Sequence, residues 1–147
     1  MIQNRFLAQL GISVEEAAIH FKLLPLRLRR QIAALGIIQR AVLRKGPKQF
    51  WTWFVRDTAS YYTHYRKHTR SLQEIVHHQS PAYFKRSLLG MIKIYNWLPQ
   101  YIVDTTNVKS FQHELQNLVV QHMMMGSNWL DIFNPMCSFM THPLARG

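Results

Sequence analysis

Cysteine is almost missing from this chain: Cys137 is the single one among 147 residues. One thiol excludes an internal disulfide and any cysteine-rich zinc knuckle. Acidic residues are scarce too, seven Asp and Glu against eighteen Lys and Arg. The three aspartates, Asp57, Asp104 and Asp131, are never adjacent, so no carboxylate pair is offered to hold two metal ions for polymerase or nuclease chemistry. An aromatic-x-Asp-Asp turn, a phosphate-cradling glycine-rich loop and a Gly-x-Ser-x-Gly elbow are all lacking. The expectation is therefore no enzyme and no cofactor. No apolar run approaches the roughly 20 residues that cross a bilayer. Internal repeats and low-complexity linkers are absent as well.

What remains is an apolar and basic chain. Nearly half of the residues are hydrophobic (48%), which argues for a packed core rather than disorder. The formal net charge of +11 is large for one domain and points to an acidic partner, nucleic acid or an anionic membrane surface. Met1–Leu10 has one Arg and no apolar core of signal-peptide length, so it does not read as a secretory address. A weak amphipathic mitochondrial leader is the alternative there. Gly11-Ile12-Ser13 followed by Glu15 and Glu16 reads instead as a helix stop and restart. Compartment is otherwise not specified.

Helical signals dominate. Ser13-x-x-Glu16 is a capping box that should open a short helix running to about Lys22. Pro25 suits a first helical turn, and Leu28, Ile32, Leu35, Ile38 and Val42 then form one apolar stripe, with Gly46-Pro47 as the stop. Asn107 should cap a long helix with Val108, Phe111, Leu115, Leu118 and His122 on one side, stopped by Gly126. Ser80-Pro81 reads as another helix start, with Tyr83/Phe84, Leu88, Met91/Ile92 and Tyr95 on a face that ends before Leu98-Pro99. Phe50–Val55 packs aromatics without a clear period, so helix and strand stay open there. The expected fold is mainly α, a small domain of about four to six helices with a short hairpin or irregular segment around 50–80. Residues 1–128 read as one basic helical domain, and 129–147 as a short helix or turn with a loosely held tail.

Basic residues carry the functional signal. Between Ala17 and Arg56 no acidic residue occurs, while Lys22, Arg27, Arg29, Arg30, Arg40, Arg44, Lys45, Lys48 and Arg56 all fall in that window. On the Pro25 helix, Arg29, Arg40 and Arg44 cannot share the apolar stripe and should face solvent or a partner. Such a surface neutralises phosphates and releases counterions, with little sequence preference. Trp51, Trp53, Tyr61 and Tyr62 read first as core and second as stacking platforms for unpaired bases. His64 and His68 stand at i, i+4, a spacing that puts both rings on one helix face, as zinc requires. The nearest carboxylate is Glu74, so the favoured reading of that stretch is a solvated basic face.

Two blocks resemble a known family. Residues 85–118 carry Arg86-Ser87, the apolar run Met91–Ile94, the turn Tyr95-Asn96-Trp97-Leu98-Pro99, the pair Ile102-Val103, and Asn107-Val108-Lys109-Ser110-Phe111 leading to Leu115. In that order they resemble the tail that follows the reverse transcriptase domain in LINE-type (non-LTR) retrotransposon polyproteins. Pro25, Leu26, Arg29, Arg30, Leu35 and Arg40 resemble an earlier helix of the same tails. Branches of that family that carry a zinc knuckle differ from this chain. The resemblance implies a non-catalytic piece whose ancestral polymerase lay elsewhere, gripping the backbone of RNA or DNA for an attached polymerase domain or larger assembly, in the nucleus or cytoplasm. The residues expected to do so are Arg29, Arg30, Arg40, Arg44, Lys45, Lys48 and Arg86. The alternatives are a structural subunit recruited from a retroelement, with its methionines and aromatics at protein contacts, or a relic without retained activity.

Overall fold

The spacing of apolar residues after Pro25 produces a helix that forms one half of the centre of the molecule. The structure is a computed structural model, described here for residues 2–55, 69–73, 87–126, 128–136 and 142–144. Over these residues six α-helices run in order: α1 Ile2–Gln9, α2 Val14–His20, α3 Leu26–Val42, α4 Ile92–Asn96, α5 Gln100–Val103 and α6 Val108–Met124. Single 3-10 turns occupy Lys48–Phe50, Leu89–Met91 and Trp129–Asp131. No strand occurs among the described residues, and the domain is mainly helical as expected. None of its described helices is long and apolar enough to cross a membrane.

The local start signals work as chemistry dictates. Ser13 Oγ accepts from the Glu16 amide at 3.1 Å, and Asn107 Oδ1 accepts from the Ser110 amide at 3.1 Å. Each satisfies a helix N–H that has no intrahelical acceptor. Pro25 stands one residue before α3, in extended conformation. Gly126, at φ 71°, closes α6 in the left-handed region that glycine enters without cost.

Two helix ends differ from expectation. α2 stops at His20 rather than near Lys22, because Lys22 itself takes a left-handed conformation (φ 53°) and Leu23 N–H turns back to Ala17 O at 3.0 Å. α3 stops before Gly46-Pro47. Arg44, at φ 57°, occupies the left-handed position usually given to glycine; its N–H donates to Ala41 O (3.0 Å) and that of Lys45 to Arg40 O (2.9 Å). These two bonds make a Schellman motif, with Gly46 (φ 74°) as a second left-handed residue behind it.

α3 and α6 pack on each other more extensively than any other described pair of elements. Leu28, Ile32, Leu35 and Ile38 from α3 and Phe111, Leu115, Leu118 and Val119 from α6 are buried in one cluster. Fully burying each such side chain contributes about 1.5–3 kcal/mol. Val42, Val108 and His122, placed on the stripes by spacing, are only half-buried. α2 rests against α6, and α1 against α2.

The turn between α4 and α5 is tied into this core. Tyr95, Trp97, Leu98, Ile102 and Val103 are buried. Asn96 is buried too, accepting from Leu72 N–H at 2.7 Å and donating to Leu72 O at 2.8 Å, so one side chain satisfies both backbone groups of a residue from a remote loop. Gln39 does the same from α3: Nε2 donates to Val103 O (3.0 Å) and Thr105 O (2.9 Å), and Oε1 accepts from the Tyr95 hydroxyl at 2.7 Å. The segment read as a short helix and tail sends Trp129, Ile132, Phe133 and Leu144 into the same cluster. His142 is buried against Trp97, ring centroids 4.6 Å apart.

Within the 50–80 region, Phe54 is buried, Trp51 is half-buried and Trp53 is half exposed, edge-on to Phe50 at 5.3 Å. Gln73 N–H donates to Val55 O at 2.8 Å. Residues 56–68 and 74–86 lie outside the described residues, and with them Tyr61, Tyr62, Tyr83, Phe84 and the Ser80-Pro81 helix start.

Candidate nucleic-acid interface

A helix that buries one stripe must present the opposite one, and on α3 that stripe is basic. Its exposed residues include Arg29, Arg30, Ala33, Ile37 and Arg40, with Arg44 continuing the arc just past the helix end. Arg30 and Arg40 are ten residues apart, roughly 15 Å along the axis. Ala33 and Ile37 fill the space between them. Neither the helix nor its sequence neighbours bring a carboxylate to this surface, the first acidic residue on either side being Glu16 or Asp57.

The seven expected contact residues divide into three sets. Arg29 is anchored: Nε donates to Leu24 O at 3.1 Å and Nη2 to Gln3 Oε1 at 2.7 Å, while Gln3 Nε2 also donates to Leu24 O at 3.1 Å. It ties α1 to the start of α3. Arg44 and Lys45 secure the end of α3. The Arg44 guanidinium lies over Trp51, 5.6 Å from the ring centroid, and Nη1 donates to Trp51 O at 3.3 Å. Lys45 Nζ donates to Thr106 O at 3.0 Å, and Lys45 O accepts from Trp51 Nε1 at 3.3 Å. Trp51 is thus held as part of the helix end, whereas Trp53 stays exposed enough to stack.

Arg30, Arg40 and Lys48 form the second set. All three are exposed, and their side chains make no hydrogen bond or ion pair with any described residue. Arg40 packs its stem beside Gly46, where an added Cβ would lie 2.9 Å from Arg40 Cδ. Arg86 forms the third set by itself, outside the described residues, as do the metal candidates His64 and His68. Among the described residues no three His, Cys, Asp or Glu side chains gather as metal ligands.

The described aspartates are engaged in turns. Asp104 accepts from Gln100 Nε2 at 2.7 Å, and Asp131 accepts from Asn128 Nδ2 at 2.7 Å and Asn134 Nδ2 at 3.0 Å. Asp57 is outside the described residues.

Next to the exposed stripe lies a cleft of about 640 Å³ that sequence reading did not single out. Arg27, Arg30 and Gln31 line it from α3, Met91 from the preceding turn of α4, and Asn134, Pro135 and Met136 from the far end of the chain. The only local signal was Arg27-x-x-Arg30, a spacing that places two side chains side by side on a helix. Its other wall arrives from more than a hundred residues away in sequence, beyond the reach of any periodicity.

No protein-family model matches this chain, and no curated protein or solved structure matches it.

Proposed function

We propose that this chain is a non-catalytic nucleic-acid-binding module that grips the phosphate backbone of RNA or DNA through the outer face of α3. The observation that carries this reading is that face itself: arginines at both ends of an exposed helical stripe, no acidic side chain in the surrounding sequence, and, of the seven expected contact residues, three whose side chains bond to no described residue. Arg30, Arg40 and Lys48 make the principal phosphate contacts. Arg44 adds to them, since a guanidinium has five donors and only one is given to Trp51 O. Arg29 and Lys45 serve mainly to hold α1 and the Thr106 loop in place. The likeness of residues 24–42 and 85–118 to the tails of LINE-type reverse transcriptases agrees with this role and proposes an origin beside a polymerase.

The test is binding of a labelled structured RNA and a labelled duplex DNA across a salt series, wild type against Arg30→Ala/Arg40→Ala/Lys48→Ala. Each lost phosphate contact should lower the salt slope by about 0.9 on duplex DNA, so the triple variant should lose about 2–3. Equal slopes for the folded variant and wild type would remove α3 from the interface. Comparison of the two ligands decides between RNA and DNA.

A second reading, a subunit of a larger assembly, draws on other residues. Ile2 and Phe6 are exposed at i and i+4 on α1, with Leu10 exposed just past its end, and Met124 and Met125 are exposed at the end of α6. Sedimentation of the chain alone addresses it: concentration-dependent association abolished by Phe6→Glu would favour protein contact through α1.

A further inference from the structure

The cleft beside α3 combines three features that belong to different parts of one ligand. Arg27 and Arg30 are exposed, unpaired among the described residues, and adjacent on the helix at i, i+3, so two planar guanidinium forks can close on one anion. Met91, Pro135 and Met136 line the same cleft; the first two are buried and Met136 is half exposed, an apolar side chain open to a flat ring. Gln31 supplies the third feature. Its Oε1 is buried without any hydrogen-bond partner. A buried acceptor left unmet costs folding free energy, and an amide oxygen can only be satisfied by a donor.

We infer that this cleft takes a single nucleotide at an unpaired end of a nucleic-acid strand. The phosphate sits between Arg27 and Arg30, the base lies against Met136 over the buried Met91 and Pro135, and the Gln31 side chain turns its Oε1 into the cleft to accept from a base N–H. The volume falls within the range of small-ligand pockets. Arg30 borders both the cleft and the outer stripe of α3, so a strand tracking from Arg40 to Arg30 would deliver its last nucleotide here. Every base has an N–H on its pairing edge when unpaired, so the cleft distinguishes open ends from duplex rather than one base from another. The inference rests on the proposed nucleic-acid role and names the part of the strand recognised.

The experiment is an NMR titration of the full chain with adenosine monophosphate, adenosine and inorganic phosphate, for wild type, Arg27→Ala and Gln31→Leu. Adenosine monophosphate should bind at least about tenfold more tightly than either fragment, because linked fragments do not each bear the cost of immobilisation. Arg27→Ala should weaken the monophosphate and phosphate, leaving adenosine unchanged. Gln31→Leu should weaken the monophosphate and adenosine but not phosphate, without loss of thermal stability, since it removes an unpartnered acceptor. A residue with a merely structural role would show the opposite pattern, lower stability and unchanged ligand discrimination. The proposal is overturned if the monophosphate binds no better than phosphate, which would make the cleft a plain anion site, or if neither variant alters binding. Duplex binding measured for wild type and for Arg40→Ala/Lys48→Ala separates the two readings. A duplex salt slope that depends on Arg40 and Lys48 while the monophosphate fails to bind removes the cleft and keeps the surface. Monophosphate binding that follows the expected pattern with no duplex binding removes the surface and keeps the cleft.

Discussion

α3 and α6 are both seventeen residues long and pack against each other, yet their outer faces share little chemistry. Toward the core each presents large aliphatic or aromatic side chains, four of them buried on α6 and four on α3 beside Gly36, Gln39 and Ala41. Toward solvent, α6 shows Lys109, Ser110, His113, Asn117 and Gln121, a mostly neutral polar surface, whereas α3 shows arginines with Ala33 and Ile37. Packing requires only the inner stripe. Solubility is served equally well by the mixed surface of α6, so the fold gives no reason for the exclusive positive charge of α3. A face the fold does not need is where selection for a partner can act, and the interface proposed on α3 rests on this difference.

The largest effect should come from the inner side of α3. Gln39→Leu removes the bond that the Tyr95 hydroxyl donates to Gln39 and those that Gln39 donates to the Val103 and Thr105 carbonyls. Urea unfolding should show a loss of about 3–5 kcal/mol. A loss under 1 kcal/mol would mean that the polar link between α3 and the α4–α5 turn contributes little, and the contrast between inner and outer faces would weaken.

The end of α3 gives a smaller, more discriminating effect. Arg44→Gly and Arg44→Ala both remove the guanidinium over Trp51, but only glycine relieves the left-handed backbone. The glycine variant should be the more stable of the two by about 1 kcal/mol. Equal stabilities would show that residue 44 is not held at positive φ in solution.

On the outer face, Arg30→Ala and Arg40→Ala should each change stability by no more than about 0.5 kcal/mol, since neither side chain is bonded within the described structure. A clear destabilisation by either would give the fold a claim on that arginine and remove the argument from the α3–α6 contrast.

The smallest effect belongs to α6. Burial lowers the pKa of His122 below its ordinary value of 6.5. The unfolded chain therefore takes up the proton first, so the contribution is complete above the unfolded value and is lost as pH falls from there through the lower folded one. Because His122 is only half-buried the decline should be shallow. Denaturation midpoints measured on either side of that window should differ slightly in wild type and less in His122→Gln; a midpoint rising toward acid pH would contradict the burial of the ring.

Much of the helical framework was legible from sequence. The Ser13 and Asn107 caps, the Pro25 start, the Gly126 stop and the buried positions of α3 and α6 follow from hydrogen-bonding capacity and spacing within one or two turns. The ends of α2 and α3 were misplaced because Lys22 and Arg44, residues ordinarily avoided in left-handed backbone, terminate them. In Arg44 the contacts to Trp51 help compensate, and these depend on how the following loop folds back.

By itself the sequence determined a basic helical chain with two strong amphipathic helices and an acid-free stretch around the first of them, because caps, periodicity and charge act over a few neighbouring residues. Tertiary structure alone decided which cations remain available. Lys45 is spent on a carbonyl 61 residues away and Arg29 on a side chain 26 residues before it, whereas Arg30, Arg40 and Lys48 of the expected contact residues bond to no described side chain or backbone group. It also decided that Arg27 and Gln31 would face Pro135 and Met136 across a cleft. Hydrogen bonds and clefts form between whichever groups the packed helices bring within reach, and that proximity in space leaves no mark in the local spacing of residues.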